Sequence, residues 1–576
     1  MRLLAWLFLL PLPALAQAPL TGRVLDAGTR EPLPYASIGV QGPVRFTLAN
    51  EEGAFSIVAD TLRDSLRVAL IGYRTRVVSA RDVARNGIVL LEPTAKELPS
   101  FTVKGSDAQY ERVARVSKAL REQGNGTARA YFELETYLEG QPVEVIECFY
   151  NAELAGARVR DLHLKHGRIG VAPVQTREGG QRYFVSLNTT KAVTLFDPTA
   201  ANDHYPATPF QWTKAKAIKK RYRAELLSTD DSGTDLLRLT PRDTSGNAFT
   251  VDLWLRRTDD RVLAYELRCN ACAPVPFVPY KAMDRILSTD LRIKHVWRVD
   301  ANTLQHTELS YAMDYEGMGR SEHVRTNAVL HLFDPGGAFM LPLFEYDQEQ
   351  PDYRKILLQP YDSVFWQQAP ALVSTAQQQR DRAFLRTHGT FTGFRKADGT
   401  GKADFFESNC AWWSAEKRIS LKSLPPPPDD GMRPANYQQR GATVPATQVN
   451  LEAQLYLDMD TTGGTLRVFT ATLLDGFRSY YHLPEEKHTD CFINLFFDLC
   501  EMERRSLMAA LDRPGLSPDR VRSIHAQHTR TMRATTDRFI KETALGSDHA
   551  ALLKWNDKVK DALGIDNVAL FGLMGQ

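Results

Sequence analysis

The sequence predicts a mainly β protein with helices gathered at its C-terminal end. A β-sandwich comes first, a central antiparallel β-rich region follows, and strands then lead into a small helical bundle. Three observations point there. From residue 20 to 104, short β-rich runs recur at regular spacing with turn residues between them. From about 128 to 365, apolar and polar residues alternate, which is the period of a strand with one buried face. Over the last stretch the apolar period becomes that of an amphipathic helix. A chain of 576 residues is too long for one core, so the three patterns are expected as separate units.

The N-terminus has the pattern of an export signal. Arg2 supplies a positive charge, Leu3 to Leu12 is almost wholly apolar, and Ala14-Leu15-Ala16 is a small-x-small cleavage site. The apolar run is too short to span a bilayer and suits a signal-peptide core. Residues 1–16 are therefore expected to be removed, leaving Gln17 first, and no Cys follows that point to carry a lipid. No later segment has the ~18 uncharged apolar residues of a membrane helix, so no transmembrane span is expected in the mature chain, which would be soluble or peripherally bound to a membrane. Basic and acidic residues number 71 and 69, a net charge of +2, which argues against nucleic acid as a partner.

In residues 17–104, "LTGRVLD" and "YASIGV" are β-rich, with the turn-rich "AGTREPLP" between them, and "GAFSIVA", "SLRVALIGY", "RTRVVSA" and "NGIVLLEP" continue as strands. Four groups of residues stand out: Gly22-x-Val24-x-Asp26, Pro32-Leu33-Pro34-x-Ala36, Asn50-x-x-Gly53-x-Phe55 and Ile71-Gly72-Tyr73. Gly53 supplies a turn, Phe55 opens a core strand, and Gly72 frees the backbone at a bend. Together these residues resemble the carboxypeptidase-regulatory-like (transthyretin-like) domain found at the front of many Bacteroidota envelope proteins. The resemblance implies a β-sandwich without catalytic residues of its own. It also implies a place in the cell envelope, in the periplasm or at the outer membrane.

Residues 105–388 are read as a helix followed by a large antiparallel β-rich domain. The helix over 107–123 places Tyr110, Val113, Val116 and Leu120 on one face. Strands are expected in "FELETYL", "VEVIECFYNAEL", "RYRAELLS", "TDLLRLTPRD", "FTVDLWLRR", "RVLAYELRC", "RILSTDLRIKHVWRV" and "TLQHTELSYAM". Their alternation predicts a wide sheet covered on one side, with a polar face on the other. "YFELETYLEG", "IECFYNAEL", "LKHGRIGV" and "QPYDSVFW" are also similar to the second domain of exported proteins that carry the same sandwich, a likeness that implies no ligand. A helix is expected over 369–388. Residues 389–433 are read as a connecting segment, with Pro425 to Pro428 as an extended spacer. Residues 434–576 are expected to be strands plus a bundle, the first helix with Phe492, Leu495, Phe496 and Leu499 packed on strands around Leu451 to Leu474. Ser517-Pro518-Asp519 is a helix start and Gly564 a helix stop.

Chemistry is sparsely written. His482-x-x-Glu485 has a zinc-ligand spacing, with His488, Asp490 and Cys491 close by, and a catalytic zinc takes three protein ligands. Zinc carboxypeptidases take their last histidine from farther downstream than the 88 residues left after His488, so the bland reading, solvated residues capping a helix, is preferred. Cys269-Asn270-Ala271-Cys272 has redox spacing, but the prolines that follow forbid the helix such a site needs. A structural disulfide between Cys269 and Cys272 is favoured. Asp458-x-Asp460 lacks the rest of a calcium loop and is read as part of a hairpin turn. His525 and His528 lie at i, i+3 on one helix, close enough to share a ligand, but His528 falls on the apolar stripe and is read as a satisfied core histidine. There is no G-x-S-x-G, no H-E-x-x-H and no complete phosphate loop. No catalytic or cofactor-binding residue is assigned and no cofactor is expected. The reading is an exported envelope protein with a binding or structural role toward an unidentified envelope ligand or protein. The alternative is an envelope hydrolase assembled from distant residues, metal-dependent around His482, Glu485 and His488.

Overall fold

The computed structural model describes residues 19–573 apart from 42–44, 95, 98–106, 123, 156–157, 176–180, 184–195, 278, 280–282, 299–302, 318–319, 347–351, 370, 393–409, 420–435, 440–441, 446–448, 462–464, 477 and 482–486. The expected signal sequence, the proline run, His482 and Glu485 lie outside the described residues.

The first unit is a sandwich of two small sheets. β1 (Leu20–Asp26), β4 (Ala54–Ile57) and β7 (Ile88–Leu91) make one, in the order β4-β1-β7. β2 (Ser37–Val40), β3 (Arg45–Leu48), β5 (Ser65–Ala69) and β6 (Arg76–Ser79) make the other, in the order β3-β2-β5-β6. Val24, Ile38, Phe55, Leu66, Val68 and Leu91 fill the space between them. The recurring residues each have a physical task. The Asn50 carboxamide accepts from the N–H groups of Glu52 and Ala54 at 2.9 and 2.8 Å, which fixes the turn before β4. Gly53 takes φ +72°, and a Cβ there would lie 2.4 Å from the Val24 carbonyl oxygen, so only glycine fits. The Tyr73 hydroxyl donates to Asp26 at 3.0 Å and ties two of the groups together. "RTRVVSA" is shorter as a strand than expected, because Ser79 caps a helix, Ala80–Asn86, whose Ala80 and Val83 are buried.

The central unit is a 12-stranded sheet. Its strands are β8 (Lys96–Glu97), β9 (Gly126–Leu138), β10 (Gln141–Ala155), β11 (Arg158–Val171), β14 (Tyr222–Asp230), β15 (Thr234–Pro241), β16 (Thr250–Arg256), β17 (Val262–Cys269), β18 (Arg285–Trp297), β19 (Leu304–Gly317), β20 (Arg320–Pro335) and β21 (Thr390–Phe391). The pair β12 (Pro173–Gln175) and β13 (Gln181–Tyr183) stands apart. The order is β21-β11-β10-β9-β20-β19-β18-β17-β16-β15-β14-β8, with every pairing antiparallel. β20 is absent from the expected strands, since its polar "RTN" interrupts the apolar alternation, yet it joins β9 to β19. One face of the sheet holds the large core, including Phe132, Leu253, Leu267 and Ile293, and is covered by the helix Asp107–Glu122 through Tyr110, Val113, Val116 and Leu120.

The opposite, outer face is not left to water as the alternation predicts. Over β9 to β11 it is covered by the helix Ala376–His388 and by an aromatic cluster of Tyr131, Phe149, Phe333 and Phe365. Farther along, the sandwich stands over it. Polar alternation cannot distinguish a solvated face from one closed by later chain.

The C-terminal unit holds β22 (Cys410–Trp412), β26 (Ala453–Asp460) and β27 (Arg467–Asp475) in the order β22-β27-β26. The pairs β23 (Asn436–Gln439) with β24 (Ala442–Pro445), and β25 (Val449–Asn450) with β28 (Tyr480–Tyr481), lie beside it in sequence. The helix Lys487–Leu511 shares one core with Leu455 and Leu457 of β26 and with the helices Pro518–Glu542 and His549–Leu563. Phe492 stacks on Phe539 at 5.1 Å, and Trp555 meets Phe539 edge-on at 5.7 Å. Ser517 caps one helix, and Gly564 ends another at φ +74°. Among the described residues no helix is long and apolar enough to cross a membrane.

Candidate functional site

Because directly paired residues of adjacent strands share a face, the outer face of β15 to β19 can be read from the register. Arg238 pairs with Asp252, Asp252 with Glu266, Glu266 with Lys294, and Lys294 with Glu308. Asp252 and Glu266 are like charges side by side, and guanidinium groups offset them. Arg238 is bidentate to Asp252 at 2.7 and 2.8 Å, and Arg268 bridges to Asp252 at 2.6 Å and to Glu266 at 3.1 Å. Arg292 is bidentate to Glu266 at 3.0 and 3.1 Å. Glu308 accepts from Lys294 at 3.0 Å and pairs with His306 at 3.2 Å. Burial pushes the Glu308 carboxyl up, but His306 and Lys294 outweigh it and hold it at about 2. Trp254 lies on the same face, two residues from Asp252 and opposite the small Ala264.

The sandwich forms the other wall. The β3-β2-β5 sheet turns Ser37, Gly39, Arg67 and Ala69 away from its own core, which takes Ile38, Leu66 and Val68. A Cβ on Gly39 would meet the Phe46 ring at 2.4 Å, so glycine lets that ring lie flat across the strand. Three contacts hold the walls at a fixed separation. Gln305 donates to the Ser37 hydroxyl at 2.6 Å, the Tyr35 ring lies 5.8 Å from His306, and the Arg298 guanidinium sits 3.8 Å from the centre of the Phe46 ring. Tyr35 takes φ +56°, a left-handed conformation that costs a bulky residue on the order of 1 kcal/mol. Between the walls is a cavity of about 900 Å³, lined by residues of both units. Its volume is in the upper part of the ~300–1,000 Å³ range of small-molecule sites.

The residues singled out from sequence lie elsewhere. Of the zinc-spaced set, His482 and Glu485 are outside the described residues, and His488 stands in the first turn of Lys487–Leu511 with its ring 5.3 Å from His549. Cys269 and Cys272 come together at the end of β17 with Cα atoms 5.6 Å apart, within the span of a disulfide. Ala271 takes φ +48° in that turn, and its N–H donates to Asp290 at 2.9 Å. His525 and His528 turn to different partners, the Leu455 carbonyl at 2.7 Å and Glu503 at 2.6 Å, so they share no ligand. His528 thus spends a ring nitrogen on Glu503 and is half-buried rather than enclosed in the core.

Asp458 departs from expectation. It sits inside β26, fully buried, rather than in the turn. With His166 and Asp362 it forms a cluster of metal-ligating groups within 4.8 Å of one another. The charge there is already balanced. Lys165 reaches Asp458 at 2.5 Å and donates to the Met340 and Met459 carbonyls at 2.8 Å each, His166 meets Asp458 at 2.9 Å, and Arg467 reaches Asp362 at 2.5 Å. A cation would sit against two resident cations, so the cluster works as a polar joint between the central sheet and β26. No local sequence pattern could have found it, because residues 165 and 458 are far apart in the chain. The cleft residues Trp254, Glu266, Arg292, Lys294, His306 and Glu308 escaped for the same reason.

A third polar cluster lies under the helix Ala376–His388. Glu147 accepts from Arg168 at 3.0 Å and from Arg382 at 2.9 Å, and Arg382 also reaches Glu133 at 3.1 Å. The Tyr137 hydroxyl donates to Asp381 at 2.7 Å and lies 3.2 Å from the Glu135 carboxyl. Burial raises all three glutamates. Arg382 and Arg168 reverse that for Glu147, holding it at about 2, while burial beside Glu147 leaves Glu133 raised and burial beside Glu133 pushes Glu135 up to about 8.

Comparison with known proteins locates one part of the chain. The model of the CarboxypepD_reg-like domain family matches residues 20–103. No curated protein matches the sequence significantly. Among solved structures, one described as an outer membrane lipoprotein-sorting protein domain from Vibrio parahaemolyticus aligns at 11% identity over 39% of this chain and 93% of that chain. The TM-score is 0.15, so that likeness carries no argument. The motif residues and the two-sheet fold agree with the family match: residues 20–103 are a carboxypeptidase-regulatory-like domain.

Proposed function

We propose that this is an exported cell-envelope protein, in the periplasm or at the outer membrane, that binds an envelope ligand in the cleft between its sandwich and the outer face of its central sheet. The observation that carries the reading is the cleft itself. Two separately cored units wall a cavity of about 900 Å³, and direct contacts between them fix its width. A gap between units that merely touch would gain by closing, since each Å² of apolar surface buried is worth ~25 cal/mol. Here glycine at 39 and a left-handed Tyr35 keep rings and polar groups arranged around open space. The export signal and the family of the N-terminal domain support the location. In an oxidising compartment, Cys269 and Cys272 would be joined.

Ala69 of β5 lines the cleft, and replacing it with tryptophan fills the space without touching either core. The test sediments the mature chain with washed envelope material, comparing wild type with Ala69→Trp. Wild type is expected to be retained and the variant to bind at least tenfold more weakly. Equal retention of a folded Ala69→Trp protein would remove the cleft as the binding site.

A further inference from the structure

We infer that the cleft takes an uncharged, hydroxyl-rich ligand, a short oligosaccharide stacked on Trp254. The inference rests on the cleft being the binding site and adds the chemical class of what fills it.

The charges decide first against an ionic ligand. Arg292 is held by Glu266, Lys294 and His306 by Glu308, and Arg298 by the face of Phe46. Glu51 accepts from the Tyr35 hydroxyl at 3.3 Å, and Arg67 also has a partner. An anion would have to compete with Glu266 and Glu308 for Arg292 and Lys294, and it gains little where those charges are already balanced. A cation meets the same obstacle from the other side. A lipid tail is disfavoured because it would lay hydrocarbon over a floor of ion pairs that retain unused donors and acceptors.

Hydroxyl groups suit that floor. A guanidinium has five N–H donors and a carboxylate about four acceptor positions, so each remains partly unused after pairing. A hydroxyl both donates and accepts, and it can bridge a carboxylate and its guanidinium without separating them. Sugars add an apolar C–H face that stacks on an aromatic ring. Trp254 offers such a ring: it lines the cleft, is only half-buried, makes no ring contact among the described residues, and faces Ala264 across the strands. A partly exposed indole beside a charge-balanced, hydrogen-bonding rung is an arrangement suited to a pyranose.

Isothermal titration of the mature chain with cellohexaose, chitohexaose and maltohexaose, against hexagalacturonate and phosphatidylglycerol vesicles, tests the class. At least one neutral hexasaccharide is expected to bind, with affinity reduced at least tenfold by Trp254→Ala and no more than about threefold by Trp254→Phe, which keeps a stacking face. Thermal melts establish that each variant is folded. Binding of hexagalacturonate or vesicles alone, abolished by Ala69→Trp, would overturn the ligand class and leave the cleft as the site. Failure of all three neutral sugars while envelope material still binds in an Ala69→Trp-sensitive way would do the same. Failure of every probe, with envelope retention indifferent to Ala69→Trp, would overturn both readings.

Discussion

On the outer face of the central sheet one rung of directly paired residues runs Arg168, Glu147, Glu133, Val329, Glu308, Lys294, Glu266, Asp252, Arg238, Glu225, and every member but Val329 is charged. The rung passes through two environments. Over β17 to β19 it floors the cleft, where Arg292 keeps 49% of its side chain exposed. Over β9 to β11 it lies under a helix, and Arg382 is 6% exposed. Cations match carboxylates in the first half, and Glu308 is fully ionised at neutral pH. In the second half Glu133, Glu135 and Glu147 crowd around Arg382, with Arg168 on Glu147, and Glu135 holds its proton to about 8. The same strand chemistry thus makes an open, hydrogen-bonding surface in one place and a proton-holding joint in the other. Coverage decides which.

That contrast is broken most severely at Arg382. Arg382→Met strands Glu133 in a buried site and leaves Glu147 to Arg168 alone, and is expected to destabilise the protein by about 3–5 kcal/mol in urea unfolding. A loss below ~1 kcal/mol would show that the covered half is as wet as the open one. The second effect is on pH. Glu135 binds its proton more tightly folded than unfolded, so its stabilisation is complete below about 4.5 and is lost as pH rises through about 8. Stability should fall by on the order of 3 kcal/mol between those values, and Glu135→Gln should flatten the fall. Glu147 acts oppositely: its contribution is present above the ordinary carboxylate range and is lost as pH drops toward about 2. Urea midpoints measured from pH 3 to 9 should therefore peak on the acid side of neutrality, and a flat profile would remove the assignment.

Smaller is the Cys269–Cys272 crosslink, which closes a very short loop and is expected to contribute roughly 2 kcal/mol. Peptide mapping of unreduced protein should find the two joined, and Cys272→Ser should lower the unfolding midpoint correspondingly. If both thiols alkylate in the native protein, the turn is held by its hydrogen bonds alone. Smallest is Arg292→Met in the cleft, where water screens the pair and the expected loss is at most about 1 kcal/mol. A loss approaching that of Arg382→Met would erase the distinction between the two halves.

Local chemistry wrote much of this protein plainly. Asn50, Gly53 and Phe55 specify a turn and a core strand within six consecutive residues, and they identify the sandwich. Ser517 and Gly564 mark helix ends because a cap is satisfied by its immediate neighbours. The alternation in β14 to β19 announces antiparallel strands. Tertiary structure alone decided what those strands do with their polar side chains. Glu308 and Glu135 are both strand acids beside apolar neighbours, and nothing within reach in sequence says that one will floor a cleft and the other be sealed beneath a helix. Lys165 and Asp458 meet across 293 positions of chain, and Ser37 and Gln305 across 268. Hydrophobic period is a property of consecutive residues, so it survives in the sequence. Charge pairing and cavity shape belong to chain segments brought together only when the sheet, the sandwich and the helices have packed.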